Sequence, residues 1–361
     1  MSTETPLQQA RGKKWIVHLG QEFADVWFER CKANGISQKK LIGEDFFLVD
    51  FSDEVGAADL TSHIFARYLM PVTYMWPVKV DSDSYIERAA TGIMERFKNS
   101  GFANVQVFAL EPGASQLASN LRGRLLQLAD ATLVTNSKGH FAKWRQEPKQ
   151  QPPELSTLVV ALGRSCTYAG VIRPRESGNF YAGGRRYVSL SSDESVSRAA
   201  AKYVQAEEHC LLHGISLEKS KSWLELGACP GGMTTELANR GFHVHAIDRS
   251  PLDPRVQQDK NVTFTLGDTK DFQPTKTFDA LLCDMNGPPR FSWEQVARLS
   301  NSLKEGGIII HTLKIPEISQ FDSLELKLKE AFSEQNINVF SLFHLFHNRQ
   351  EITIFGVKKR R

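Results

Sequence analysis

The sequence predicts an α/β protein of at least two parts, with a doubly wound, mostly parallel sheet in its C-terminal half. Three observations carry that expectation. From residue 221 onward, short apolar runs alternate with amphipathic stretches, the pattern of a parallel sheet flanked by helices. The last two strand-like runs, 338–346 and 351–357, are too close for a crossover helix, so that pair should be antiparallel. The chain has 361 residues, and at ~100–200 residues per domain it holds further folded regions ahead of that sheet.

The elements follow in order. Residues 14–19 and 45–51 read as strands, with a helix over 22–33 between them. A second α/β unit starts with a helix over 84–99 and a strand over 103–110. A long helix over 115–131 and a strand over 158–162 complete it. The polar stretch 149–154, with Pro152 and Pro153, ends the segment before that strand. Residues 166–172 are suited to a hairpin with 158–162. Residues 173–192, rich in Arg, Gly, Ser and Tyr and without a period, read as a linker or RNA-facing loop. A helix capped by Ser195 or Ser197 runs through Glu207. The regular half then reads strand 222–226, turn 228–232, helix 233–240 and strands 242–248, 262–266 and 278–284. Helix 293–303, strand 307–313, helix 323–334 and the final strand pair complete it.

Composition excludes several classes. With 41% hydrophobic and 24% charged residues, the chain is neither disordered throughout nor fibrous. No run reaches the ~18 apolar residues of a membrane span, and the first residues lack the apolar core of a secretory signal, so a cytoplasmic location is expected. Five cysteines without a C-x-x-C pair argue against a disulfide framework, and with no H-E-x-x-H among ten histidines no metal site is expected. His344 and His347 are expected to be structural. The net charge of +3 permits nucleic acid as a partner without demanding it. Clusters at Arg122/Arg124, Lys143–Arg145, Arg173/Arg175, Arg185/Arg186 and 358–361 say more. In mid-chain the cations interleave with Trp144, Tyr168, Phe180, Tyr181 and Tyr187, the mixture a single-stranded RNA surface needs.

The first strand of the regular half runs into Glu225-Leu-Gly-Ala-Cys-Pro-Gly-Gly232. Its spacing is G-x-x-x-G-G, not the G-x-G-x-x-G that cradles a pyrophosphate. Asp248 closes the second strand, where a carboxylate accepts both hydroxyls of a ribose. Asp268 follows the third, placed to bond the exocyclic amine of adenine. These residues describe an adenosine site without a diphosphate cradle. Four more polar residues occupy openings of the same sheet: Lys202 before the first strand, Asp284 after the fourth, Lys314 after the fifth and Glu351 at the start of the last. Two lysines and two carboxylates around one pocket form a network able to shift a lysine pKa. Burial and a neighbouring ammonium would lower it, and the carboxylates oppose the drop.

With Leu226-Gly-Ala-Cys-Pro-Gly-Gly232, these four residues resemble the Lys-Asp-Lys-Glu tetrad and first motif of FtsJ-like RNA ribose 2′-O-methyltransferases. The resemblance extends to the ribosomal large-subunit methyltransferase M (RlmM) group through Ile64–Arg67, Cys166–Gly170, Phe180–Gly183, Ser197-Arg198, Cys283–Met285, Leu313–Pro316 and His347–Thr353. It covers nearly the whole chain and is most specific in the C-terminal half. Met233 departs from the family's usual Trp, Asn286-Gly-Pro-Pro289 from a more charged stretch, and His311-Thr312 precede the Leu-Lys; the tetrad is complete.

The resemblance implies a ferredoxin-like domain over 1–75, a THUMP domain over 76–172, a linker over 173–192 and a Rossmann-like methyltransferase domain over 193–361. It implies S-adenosylmethionine as cofactor, held by Ser197, Gly227, Cys229, Pro230, Gly231, Gly232, Asp248, Asp268 and Asp284. Lys314 is then the general base and Asp284 its orienting partner, with Lys202 and Glu351 holding the ribose. The implied partner is RNA and the implied target a cytidine of 23S rRNA, in the peptidyl-transferase region; monomer and homodimer both remain open. The alternative is an RNA-binding, methyltransferase-like protein with another RNA target or without catalytic activity. An NAD-linked oxidoreductase lacks its glycine pattern here, and a base methyltransferase lacks the aromatic after Pro288-Pro289.

Overall fold

The computed structural model describes residues 10–61, 64–78, 84–133, 148–185 and 196–359. Lys143, Trp144, Arg145, Arg186, Tyr187, Ser195, Arg360 and Arg361, singled out above, lie outside these residues. The chain divides into two compact units, 1–185 with 212–214 and 186–211 with 215–361.

The first unit contains two four-stranded sheets. Strands β1 (Arg11–Leu19), β2 (Ile36–Leu41), β3 (Phe46–Gly56) and β4 (Ala66–Pro71) form one in the order β2-β3-β1-β4, with every pairing antiparallel. Helix α1 (Ala24–Arg30) lies between β1 and β2, and α2 (Ala57–Thr61) follows β3. The second sheet takes β5 (Tyr74–Pro77), β6 (Asn104–Ala109), β7 (Thr157–Leu162) and β8 (Cys166–Ile172) in the order β5-β8-β7-β6. Helix α3 (Tyr85–Phe97) precedes β6. Helix α4 (Ser115–Leu133) connects β6 to β7, and the length of that connection lets the two strands run parallel. The buried residues of α3, Tyr85, Ala89, Ala90, Ile93, Met94 and Phe97, recur at helical spacing and pack with Leu121, Leu125, Leu158 and Val160.

The expected linker is corrected over its first thirteen residues. Residues 173–185 fold with the first unit, starting with the one-turn helix α5 (Pro174–Ser177). Phe180 is buried, and the side-chain amide of Gln106 grips the backbone on both sides of it. Nε2 donates to the Phe180 carbonyl at 2.9 Å, and Oε1 accepts from the Ala182 N–H at 2.8 Å. His18 Nδ1 lies 2.7 Å from the Gly183 carbonyl. Part of the expected RNA-facing mixture is therefore interior: Tyr168 and Phe180 are buried, Arg173 is buried against Glu176, and Arg185 pairs with Glu44 at 2.7 Å while stacking on Phe46.

The second unit is the expected doubly wound sheet. In chain order it has α6 (Ala199–Leu212), β9 (Ser222–Leu226), α7 (Gly232–Asn239), β10 (His243–Asp248), α8 (Pro254–Gln257), β11 (Val262–Leu266) and β12 (Phe278–Cys283). Helix α9 (Pro289–Leu299), β13 (Leu303–Lys314), α10 (Phe321–Glu334), β14 (Ile337–Phe343) and β15 (Glu351–Lys358) follow. The strand order is β11-β10-β9-β12-β13-β15-β14. The strands from β11 to β13 are parallel, and β15 inserts antiparallel between β13 and β14. Several boundaries differ from expectation: β13 starts at Leu303, the expected end of the helix over 293–303, and that helix stops at Leu299. Helix α9 starts earlier, where Pro289 suits a first turn, and β14 stops at Phe343. His344 is fully buried, with Nε2 3.0 Å from the Arg349 carbonyl, so it is structural as expected.

Candidate active site

The parallel strands end along one edge of the sheet, and a cavity of about 480 Å³ opens there. Its floor starts at the turn between β9 and α7. Gly227 takes φ +76°, a left-handed conformation, and an added Cβ would lie 2.7 Å from Met285 Cα. At Gly232 an added Cβ would meet Ser197 Oγ at 2.2 Å. Only bare backbone fits these two approaches. Ser197 also accepts from the Ala199 N–H at 3.3 Å, the expected cap of α6.

The strand-end carboxylates are held by the backbone around them. Asp248 accepts from the Cys229 N–H at 2.9 Å and the Ser250 N–H at 2.8 Å, which aims it across the turn. Asp268 accepts from the Lys270 N–H at 3.1 Å. Asp284 continues β12, and its N–H reaches the Leu226 carbonyl at 3.0 Å. All three carboxylates lie on the cavity wall, as do Ser197, Gly227, Cys229 and Gly232; Pro230 and Gly231 belong to the same turn but do not line the cavity.

Lys202, Asp284, Lys314 and Glu351 converge at the edge of this cavity from α6, the end of β12, the end of β13 and the start of β15. Lys202 Nζ donates to Glu351 Oε2 at 2.7 Å and lies 3.2 Å from Asp284 Oδ2. Lys314 Nζ lies 3.2 Å from Asp284 Oδ1 and donates to Glu351 Oε1. Sheet register fixes the last pair, because Lys314 and Glu351 face each other across the antiparallel β13–β15 ladder. Each carboxylate touches both lysines, so the formal charges cancel inside the cluster. Lys202, Lys314 and Asp284 reach the cavity, and Glu351 sits one layer behind.

The electrostatics correct one expectation. Burial alone would lower the Lys314 pKa, but Asp284 and Glu351 outweigh it and hold the ammonium above its ordinary value. Glu351 moves the other way. Burial pushes its carboxyl up, yet Lys202 and Lys314 prevail and keep it below the usual range. In this arrangement Lys314 is protonated, not poised as a free amine.

Glu225 carries chemistry to which the sequence reading gave no role. It sits mid-sheet on β9 and on the cavity wall, 3% exposed, and Oε2 has no hydrogen-bond partner. Burial pushes its carboxyl up to about 8, with Asp284 and Asp248 adding to the rise and the nearby Thr234 hydroxyl opposing it. An ionisable residue inside an otherwise apolar central strand was the signal available. The neutral form is native-like below the ordinary carboxylate pKa, and the associated stability is lost as pH rises toward about 8. Glu225→Gln should therefore stabilise the ligand-free protein by ~1–3 kcal/mol at pH 8–9 and leave it unchanged near pH 4. Urea unfolding across that range checks this; an equal gain at both ends would remove the carboxyl from the account. Among the described residues no cluster of His, Cys, Asp and Glu is suited to a metal ion.

Comparison with known proteins bears on this unit first. The family described as FtsJ-like methyltransferase matches residues 195–334. The protein named Ribosomal RNA large subunit methyltransferase M from Shewanella pealeana is 29% identical over 226 residues, 58% of this chain and 59% of its own length. The chain thus matches about three fifths of the length of that relative. The protein of the same name from Thauera aminoaromatica is 28% identical over 324 residues, 84% of this chain and 81% of its own. Among solved structures, TrmN from Thermus thermophilus aligns over 96% of this chain and 100% of its own at 12% identity, with a TM-score of 0.37. The second unit carries an FtsJ-like methyltransferase domain.

Proposed function

We propose that this chain is an S-adenosylmethionine-dependent RNA ribose 2′-O-methyltransferase acting on large-subunit ribosomal RNA, with a cytidine of 23S rRNA as its target. The observation that carries the proposal is the convergence of Lys202, Asp284, Lys314 and Glu351 beside a cavity bordered by three strand-end carboxylates. The residues present suit the cofactor. Gly227 and Gly232 leave no room for a side chain, Asp248 and Asp268 offer acceptors to hydroxyls and an amine, and Glu225 keeps a buried oxygen without a partner. In this reading Ser197, Gly227, Cys229–Gly232, Asp248, Asp268 and Asp284 hold the cofactor, and Glu225 accepts from its ammonium end. S-adenosylmethionine, when bound, supplies a methyl already activated on a sulfonium.

The chain's own residues then have two tasks. The first is orientation: the target 2′-oxygen must be held in line, and a near-attack separation of ~3–3.5 Å contributes most of the rate. In this reading Lys202 and Glu351 hold the ribose, Glu351 acting through the two ammoniums it bonds. The second is removal of the hydroxyl proton. Lys314 first releases its own proton to solvent water and then takes the hydroxyl proton at Nζ, while Asp284 keeps the amine aimed at the oxygen. Asp284 also touches both ammoniums, and a further positive charge seated against it weakens its hold on the Lys314 proton. The expected ferredoxin-like and THUMP regions, 1–75 and 76–172, would grip the RNA, and the protein would work in the cytoplasm. No helix among the described residues is long and apolar enough to cross a membrane.

The decisive experiment combines the full-length protein, S-adenosylmethionine and unmodified large-subunit rRNA, followed by mapping of 2′-O-methyl groups. One new 2′-O-methylcytidine is expected. Methylation of a base, or none on any ribosomal RNA, would reject the reading.

A further inference from the structure

We infer that Arg298 is a positioning residue that sets the base selectivity of the cofactor site by clamping the turn that carries Asp268. The inference rests on the cofactor reading above. Asp268 is held only through the turn that follows it. One oxygen accepts from the Lys270 N–H at 3.1 Å, and the other lies 3.9 Å from a largely exposed Lys270 ammonium. What fixes the carboxylate is the short 3-10 turn behind it, Thr269–Asp271, and that turn is held from outside. From the last turn of α9, Arg298 Nη2 donates to the Thr269 carbonyl at 2.6 Å and Nη1 to the Phe272 carbonyl at 3.0 Å.

The Thr269 carbonyl also accepts the N–H of Phe272 at 3.2 Å, so the guanidinium grips the bond that closes the turn. Gln295 orients the clamp, its Oε1 accepting from Arg298 Nε at 3.2 Å and Nη2 at 3.0 Å. Thr269 lies on the cavity wall, 5% exposed, with Oγ1 lacking a hydrogen-bond partner. A fork of planar donors is what two carbonyls at fixed separation require, and a lysine presents only a point charge. The same helix starts just after Asp284–Asn286 and carries Phe291 on the cavity wall. Its Ser292 Oγ lies 3.1 Å from His311 Nε2 on the strand that ends in Lys314. Helix α9 thus ties the Asp268 end of the cavity to the tetrad end.

Base selectivity follows from this placement. Asp268 accepts a hydrogen bond from an exocyclic amine and repels an oxygen in the same position. Discrimination therefore depends on the carboxylate staying where the turn puts it. The test measures affinities of the full-length protein for S-adenosylhomocysteine and for S-inosylhomocysteine, in which an oxygen replaces the amine. The native protein should prefer the adenine ligand by about 10–100-fold, the range of one hydrogen bond to a charged group. Arg298→Lys should shrink that preference to about threefold or less, more than it weakens binding of the hypoxanthine ligand. Gln295→Ala, which frees the guanidinium, should shift the ratio in the same direction and decides the matter if Arg298→Lys does not fold.

A native-like ratio in a folded variant would overturn the clamp while leaving the cofactor reading intact. A native protein that binds both ligands equally would overturn the role of Asp268 and the clamp together. A native protein that binds neither would remove the cofactor reading itself, and the inference with it.

Discussion

Replacing Lys314 with alanine is expected to reduce methyl transfer to RNA by ~10²–10⁴-fold, the contribution of a positioned general base, while affinity for S-adenosylhomocysteine stays within about threefold. The side chain reaches the cavity only at its edge, so the floor formed by Gly227, Gly232 and Asp248 survives its removal. Lys314→Arg separates charge from proton transfer. It keeps a cation between Asp284 and Glu351, but a guanidinium does not release its proton at accessible pH. It should be as inactive as the alanine variant. The pH dependence has a definite sign. Lys314 must be neutral to accept a proton, and Asp284 and Glu351 raise its pKa above the ordinary value. Single-turnover rates should therefore rise with pH, about tenfold per unit, across the neutral range. Glu351→Gln removes one of the carboxylates that hold the proton, so its rising limb should move to lower pH even if its maximum falls. A flat profile, or an active Lys314→Arg protein, would take the base role away from this residue.

The second large effect is expected at Gly227. Alanine there meets two independent obstacles. A φ of +76° places an L-residue in the left-handed region, at ~1–2 kcal/mol, and the new Cβ would lie 2.7 Å from Met285 Cα and 2.8 Å from Met285 N. Those atoms belong to backbone anchored by β12 and cannot rotate away, which adds ~1–3 kcal/mol of overpacking. Gly227→Ala should destabilise the protein by ~2–5 kcal/mol in urea unfolding. The fraction that folds should bind S-adenosylhomocysteine at least ~100-fold more weakly, because relief of the clash moves the turn or the Asp284 loop. Native-like affinity in a folded Gly227→Ala protein would show that this turn does not border the cofactor.

Much of this was legible in one dimension. Alternating apolar runs and amphipathic stretches announced the parallel sheet, and the short gap before Glu351 announced its antiparallel end. The strand-end positions of Asp248, Asp268 and Asp284 followed once the strands were identified. The first unit was less legible. Strand β2, Ile36-Ser-Gln-Lys-Lys-Leu41, is exposed along most of its length and has no buried face to impose a period. Residues 173–185 read as a linker because their order comes from partners distant in sequence, chiefly Gln106 and His18.

Chemical identity and local periodicity are properties of neighbouring residues, so the sequence alone determined the C-terminal fold class, the glycine turn and which four polar residues stand as candidates around the sheet. Tertiary structure decided how those groups behave. Whether Lys314 keeps its proton depends on two carboxylates, one of them brought opposite by strand register. Glu225 is pushed toward neutrality because three strands and a helix enclose it. Electrostatic energies depend on distance and burial in three dimensions, and neither is a function of position along the chain.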